Sequence, residues 1–394
     1  MKAFRAFLLA ASTVVAAPAA LAEVGVTDNE ILIGMFSPLS GPVASFGTDT
    51  LYAAKLWYDE TNKKGGIHGR KIRVLVEDDK CTPTDLLAVV KKYITIDKVF
   101  MVHGGSCNAV LAAQEYVTRE QVPFAMINAS GDAAVFPATR YVFGAFGGTQ
   151  RTVASTMVSF VAKELKAKKV AMIIHDDDYG TNNLAAAGPV LKKYGIDLVA
   201  VEKLSARATD VTSTMLNVKA ANPDIILATA YPAPAVLLAQ KRYELGIKQP
   251  LVQSVSGVPF PDVFAKNVGD NAALKDFYYG TPLNDLTNGP KQQKWIALYK
   301  AAYPDKQNVS AFMAYGFPSA MAITAALEKA GRDLTREKFI DAMETVNIDT
   351  GILAGPIVLT KNRHDGHRGS NFVRFDGVNH TLMPGPWLNE ADGE

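Results

Sequence analysis

The residues that could do chemistry are few and scattered. Cys107 lies four residues after His103, and an imidazole beside a thiol is one way to make a nucleophile. No third group is evident to orient that histidine. The other cysteine is Cys81. An even, low count in an oxidising compartment points to one Cys81–Cys107 disulfide, a cross-link of about 3 kcal/mol in the chain-entropy view. His175-Asp176-Asp177-Asp178 has the residue types of a metal site. Adjacent side chains at a strand end diverge, so a solvated corner is expected there and no metal. His364 and His367 fall in the polar run 363–370, expected to be an exposed loop. No P-loop, G-x-S-x-G, H-E-x-x-H or paired-carboxylate pattern occurs. The expectation is a protein that binds without turnover and needs no cofactor.

The first 22 residues bear on the cysteines. Lys2 and Arg5 precede an apolar, Ala-rich stretch that ends in Ala20-Leu21-Ala22. This is the pattern of a secretory leader, cleaved after Ala22. Pro18 interrupts the run, against an uninterrupted membrane span. Cleavage removes two of 41 basic residues and none of 39 acidic ones, leaving a formal charge of zero. A nucleic-acid surface would need a basic excess. A periplasmic, monomeric protein is expected.

The remaining chain suits two domains. Short apolar runs alternate with helical patterns. Strands are expected at 31–35, 72–76, 99–102 and 124–127, with helices at 48–63, 83–97 and 109–119 between them. Thr82 is an expected N-cap, with Pro83 in the first turn. A second series expects helices at 152–165, 182–194, 211–220 and 233–245, and strands at 169–174, 197–204, 225–229 and 250–254. Longer helices follow at 290–303 and 311–330, then short strands near Ile357 and Phe372. Strands that alternate with helices make parallel sheets covered on both faces. The fold class is therefore α/β, with two Rossmann-like, doubly wound lobes. Ligands of such sheets sit beyond the carboxyl ends of the strands. That directs attention to the corners 37–47, 104–108, 128–132, 176–181, 230–232 and 254–258.

Those corners carry a resemblance. Ser37-Pro38-Leu39-Ser40-Gly41-Pro42, Gly65-Gly66-Ile67-His68-Gly69-Arg70, Glu77-Asp78-Asp79, His175 through Gly180 and Asn222-Pro223-Asp224 occur in that order. Together they resemble the leucine/isoleucine/valine-binding family, the type I periplasmic receptors of ABC importers. The resemblance implies two lobes joined by a three-strand hinge, with an N-lobe of 23–148 plus 278–358 and a C-lobe of 149–277 plus 359–394. It implies no enzymatic activity, closure on a small molecule, and docking on an inner-membrane ABC permease. The Cys81 and Cys107 positions also resemble that family's N-lobe disulfide.

The resemblance further implies a pocket. Phe46 takes the place of an aromatic wall residue. Ser106, Cys107 and Asn108 supply polar contacts, followed by Gly131 and Asp132. Tyr179 and Tyr231 are the C-lobe aromatics. The family's amino-acid binders hold the ligand ammonium with a Glu, and this chain has Ser256 there. Unpaired N–H groups near Ser106 to Asn108 suit an anion, or are simply capped by those side chains. Aromatic walls, an anion site and no Glu together fit an aromatic or apolar carboxylate without an α-amino group. Asp132 keeps amino-acid binding open, because it could replace the Glu. A ligand-sensing receptor domain of the same fold is the other alternative.

Overall fold

The computed structural model describes residues 23–41, 44–105, 110–127, 132–144, 149–306 and 310–390, without the side chains of Ser45, Phe46 and Ala314. The first lobe opens with β1 (Glu30–Ser37), α1 (Ala44–Lys63), β2 (Lys71–Asp78), α2 (Pro83–Thr95), β3 (Met101–Gly104), α3 (Leu111–Arg119), β4 (Phe124–Met126) and β5 (Val142–Phe143). Its sheet runs β2-β1-β3-β4-β5, all parallel. β1 shows why its sequence is an unbroken apolar run. Ile31, Ile33 and Met35 enter the core on one face, and Leu32 and Phe36 enter the core on the other. Thr82 caps α2 as expected, accepting from the Asp85 N–H at 3.1 Å.

The second lobe follows with α4 (Gln150–Lys163), β6 (Lys169–His175), α5 (Asp178–Tyr194), β7 (Asp197–Leu204), α6 (Thr212–Ala221), β8 (Ile225–Ala228), α7 (Pro232–Glu244), β9 (Leu251–Gln253), α8 (Pro261–Val268) and β10 (Phe277–Thr281). The chain then forms α9 (Gln293–Ala302), α10 (Met313–Ala330), α11 (Arg336–Met343), β11 (Asn347–Ile348) and β12 (Ile357–Val358). Their apolar side chains join a first-lobe core. Gly316 in α10 lies against α1 so closely that a Cβ would meet the Thr50 carbonyl oxygen at 2.0 Å. The chain ends with β13 (Gly369–Phe375), β14 (His380–Leu382) and β15 (Trp387–Leu388).

The second sheet runs β14-β13-β10-β9-β8-β6-β7, with β15 on β13. Its β10-β9-β8-β6-β7 part is parallel, and β13 and β14 add an antiparallel edge. β10 pairs with both β9 and β13, so the expected break at 277–278 cuts into a strand of the second sheet. Both parallel sheets change winding direction at their first strand, between β1 and β3 and between β6 and β8. A crevice therefore opens beyond those strand ends in each lobe.

The run 363–370 corrects the expectation of an exposed loop. His364, Asp365 and His367 are fully buried where the chain passes between lobes. Asp365 bridges to Gly144, and His367 bridges to Ile357. The His364 ring stacks on Phe143 at 4.1 Å, and its Nδ1 lies 2.7 Å from the Val142 carbonyl oxygen. Polarity on this run serves a buried crossing. No helix among the described residues is long and apolar enough to cross a membrane.

Candidate functional site

Three strand ends of the second lobe converge. β6 ends at His175, which is buried and bonded at both ring nitrogens. Nε2 lies 2.6 Å from the Tyr231 N–H and can only accept, so Nδ1 carries the proton and donates to the Leu204 carbonyl oxygen at 3.0 Å. Burial depresses the imidazole pKa, and nearby Asp177 opposes that shift. His175 is thus a neutral structural pin. The expected solvated corner is confined to Asp176, Asp177 and Asp178, which are exposed. Among the described residues, no group of three His, Cys, Asp or Glu could hold a metal ion.

Asp177 caps α5, accepting from the Gly180 N–H at 3.0 Å. Gly180 permits this approach, since a Cβ there would lie 2.0 Å from the His175 carbonyl oxygen. The capped turn presents Tyr179. β8 leads to Tyr231, immediately before Pro232 opens α7. The two tyrosines and His175 form a stack, with centroids 3.9 Å apart for His175–Tyr231 and 5.7 Å for Tyr231–Tyr179. Tyr231 donates to Asp177 Oδ2 at 3.1 Å. β9 leads into a 3-10 turn, Val255–Gly257, that carries Ser256.

Ser256 is part of a hydroxyl cluster. Its Oγ lies 3.0 Å from the Tyr179 hydroxyl and 2.7 Å from Ser254 Oγ. Gln253 Nε2 donates to the Ala230 carbonyl oxygen at 2.8 Å and to Ser254 Oγ at 3.3 Å. No carboxylate belongs to this cluster. Burial raises the Tyr179 pKa, and burial followed by the Asp177 charge raises that of Tyr231, so both phenols are protonated. The structure brings together three of the expected site residues, Tyr179, Tyr231 and Ser256.

The first lobe contributes Tyr315 of α10. It is buried, and burial together with the neighbouring Tyr179 raises its pKa. The lobes meet through the Ala311 N–H, which donates to the Pro259 carbonyl oxygen at 3.1 Å. They also meet through the Arg151 guanidinium, 4.8 Å from the Phe136 ring centroid. Asp132 is half-buried, and its Oδ1 accepts from the Arg151 N–H at 3.3 Å. This expected pocket residue thus also joins the lobes. Ser106, Cys107, Asn108 and Gly131 lie outside the described residues, as does the Phe46 side chain. Cys81 is half-buried, and no free cysteine occurs among the described residues. Sequence reasoning missed Tyr315 and Ser254. Tyr315 sits in a mostly apolar helix and looks like core. Ser254 was visible as a corner residue, with nothing to set it apart.

The family described as periplasmic binding protein matches residues 30–379. A "Leu/Ile/Val-binding protein homolog 7" of Brucella abortus (strain 2308) is 26% identical over 336 residues, 82% of each chain. An ABC transporter substrate-binding protein from Sphaerobacter thermophilus superposes with a TM-score of 0.81 at 18% identity, covering 92% of this chain and 98% of the other. A solute-binding protein of an ABC transporter from Rhodopseudomonas palustris BisB5, solved in complex with 3,4-dihydroxybenzoic acid, gives 0.73 at 20% identity, covering 91% and 98%.

Proposed function

The chain belongs to the periplasmic binding protein family, and from that premise we propose that it captures a small aromatic or apolar carboxylate between its lobes for an inner-membrane ABC permease. Members of this family are solute-binding proteins, not enzymes. The observation that carries the ligand class is the Tyr179–Tyr231 stack beside Ser256, whose hydroxyl partners are neutral. Such a wall suits a flat apolar body. A buried ammonium would need a buried charged partner; the Ser256 cluster holds none, and Asp177 at the Tyr231 hydroxyl is exposed and caps α5.

The same reading makes residues 1–22 an export leader cleaved after Ala22 and places the mature protein in the periplasm as a monomer. It pairs Cys81 with Cys107 in an N-lobe disulfide. The lobes are those the resemblance implies, 23–148 plus 278–358 and 149–277 plus 359–394, with the break at 277–278 moved to 281–282 to keep β10 whole. The carboxylate of the ligand is held by the first lobe, at Ser106, Cys107, Asn108 and Gly131, with Phe46 as the facing wall. The likeness to the Rhodopseudomonas protein is one of fold, and its dihydroxybenzoic acid is consistent with the reading. Amino-acid binding is the second reading, supported by the name of the Brucella relative and by Asp132 at the lobe junction.

Native mass spectrometry of the protein as purified tests the proposal. The expected result is a stoichiometric adduct that fragments as an aryl or acyl carboxylic acid. A bound leucine, isoleucine or valine would replace this reading with the second.

A further inference from the structure

The hydrogen bonds of the second-lobe wall have a direction. The Tyr231 hydroxyl faces a carboxylate, which only accepts, so its proton points to Asp177 Oδ2. The Ser256 hydroxyl lies 3.4 Å from the Ala230 carbonyl, another pure acceptor. Assigning the Ser256 proton to that carbonyl lets Ser256 Oγ accept from Ser254 at 2.7 Å and from Tyr179 at 3.0 Å, the arrangement that gives each of these hydroxyls an acceptor. Ser254 receives in turn from Gln253 Nε2. Every hydroxyl then donates once: the Tyr179, Ser254 and Ser256 protons run toward the backbone at Ala230, and the Tyr231 proton runs to Asp177. Both phenol oxygens are left with lone pairs and no proton to offer the cleft.

From this we infer that the Tyr179–Tyr231 wall is a hydrogen-bond acceptor surface that selects ligands bearing a neutral hydroxyl at the end opposite their carboxylate, that is, hydroxyaryl carboxylates bound with the phenol toward the second lobe. The inference rests on the aryl-carboxylate reading above and adds the orientation and the distinguishing group. A carboxylate end would be disfavoured at this wall, because it brings no proton and would approach Asp177. An ammonium end would instead meet the Asp177 charge, and the aminomethyl acid in the titration below separates that outcome from selection of a neutral hydroxyl. A single neutral O–H matches what the wall leaves open.

Calorimetry on the mature protein with benzoate, 4-hydroxybenzoate, 4-methoxybenzoate, 4-(aminomethyl)benzoate and leucine tests this. 4-Hydroxybenzoate should bind about tenfold more tightly than benzoate or the methoxy acid, the worth of one well-placed hydrogen bond. Tyr179→Phe and Tyr231→Phe should each shrink that preference. Ser256→Ala leaves the Tyr179 hydroxyl only the longer 3.5 Å contact to Ser254 Oγ, so its proton can turn outward and the gap between the hydroxy and methoxy acids should narrow. Unchanged melting temperatures keep these effects separate from misfolding. Equal affinity for the three uncharged-ring acids, tighter binding of the aminomethyl acid, or an unchanged preference in both Phe variants would overturn the acceptor wall while leaving an aryl-acid receptor. Binding of leucine with no response to any aryl acid would overturn the underlying reading as well.

Discussion

Ser256, where the resemblance places the ammonium-binding Glu of amino-acid binders, bonds to Tyr179 and Ser254, and that corner carries no charge. Ser256→Glu should therefore weaken binding of an aryl carboxylate at least about tenfold, because a buried charge is added near an apolar ligand; titration of the variant beside the parent reads this. Asp79 gives a prediction about stability. It is fully buried, and burial lifts its pKa to about 6. A carboxyl whose folded pKa exceeds its unfolded value binds extra protons when folded, so its contribution falls as pH rises from about 4 to about 6. Asp79→Asn should stabilise by about 2 kcal/mol at pH 8 and hardly at all at pH 4, measured by urea unfolding at both pH values. Tyr179 and Tyr231 were legible as corner residues beyond strand ends beside Gly180 and Pro232, whereas Ser256 was singled out only by the family resemblance. His175 was not legible, since sequence gives no sign that its ring is bonded at both nitrogens beneath Tyr231.

At the scale of elements, the site depends on how closely α5 approaches β6. Gly180→Ala places a Cβ 2.0 Å from the His175 carbonyl oxygen. The first turn must shift, loosening the Asp177 cap and moving Tyr179. Thermal unfolding should show a loss of about 1–3 kcal/mol, accompanied by weaker ligand binding; a variant with parental stability and affinity would contradict this account of the turn. Alternation of apolar runs with helical patterns made the β1-to-α7 order legible, with boundaries within a few residues. β5 and β15 were not legible, because two residues carry no period. β10 was missed because its run Phe277-Tyr278-Tyr279 adjoins the expected break, and only its pairing assigns it to the second sheet. The run 363–370 misled for the opposite reason: its polar residues are buried at a chain crossing rather than solvated.

At the scale of the whole molecule, the lobes are in contact, and ligand binding should stabilise that arrangement through contacts to both. Small-angle scattering should give a smaller radius of gyration with saturating ligand, and the Ala311 amide, bonded across the lobes to Pro259, should exchange more slowly. Unchanged values of both would contradict closure. Burial depresses the pKa of His103 to about 3 and of His367 to about 4. Both are neutral when folded and protonate more readily when unfolded, so the stability they contribute is present above about pH 6.5 and is lost as pH falls toward 4. Guanidinium unfolding across that range should show the decline, and replacing both histidines with Gln should flatten it. The central claim, capture of an aryl or apolar carboxylate, is tested most directly by isothermal titration of ligand-stripped protein with benzoate, 4-hydroxybenzoate, a cinnamate, leucine and valine. The account predicts saturable one-to-one binding of at least one aromatic acid at micromolar or lower concentration and none of leucine or valine. Micromolar or tighter binding of leucine or valine with no heat from the aromatic acids would contradict it.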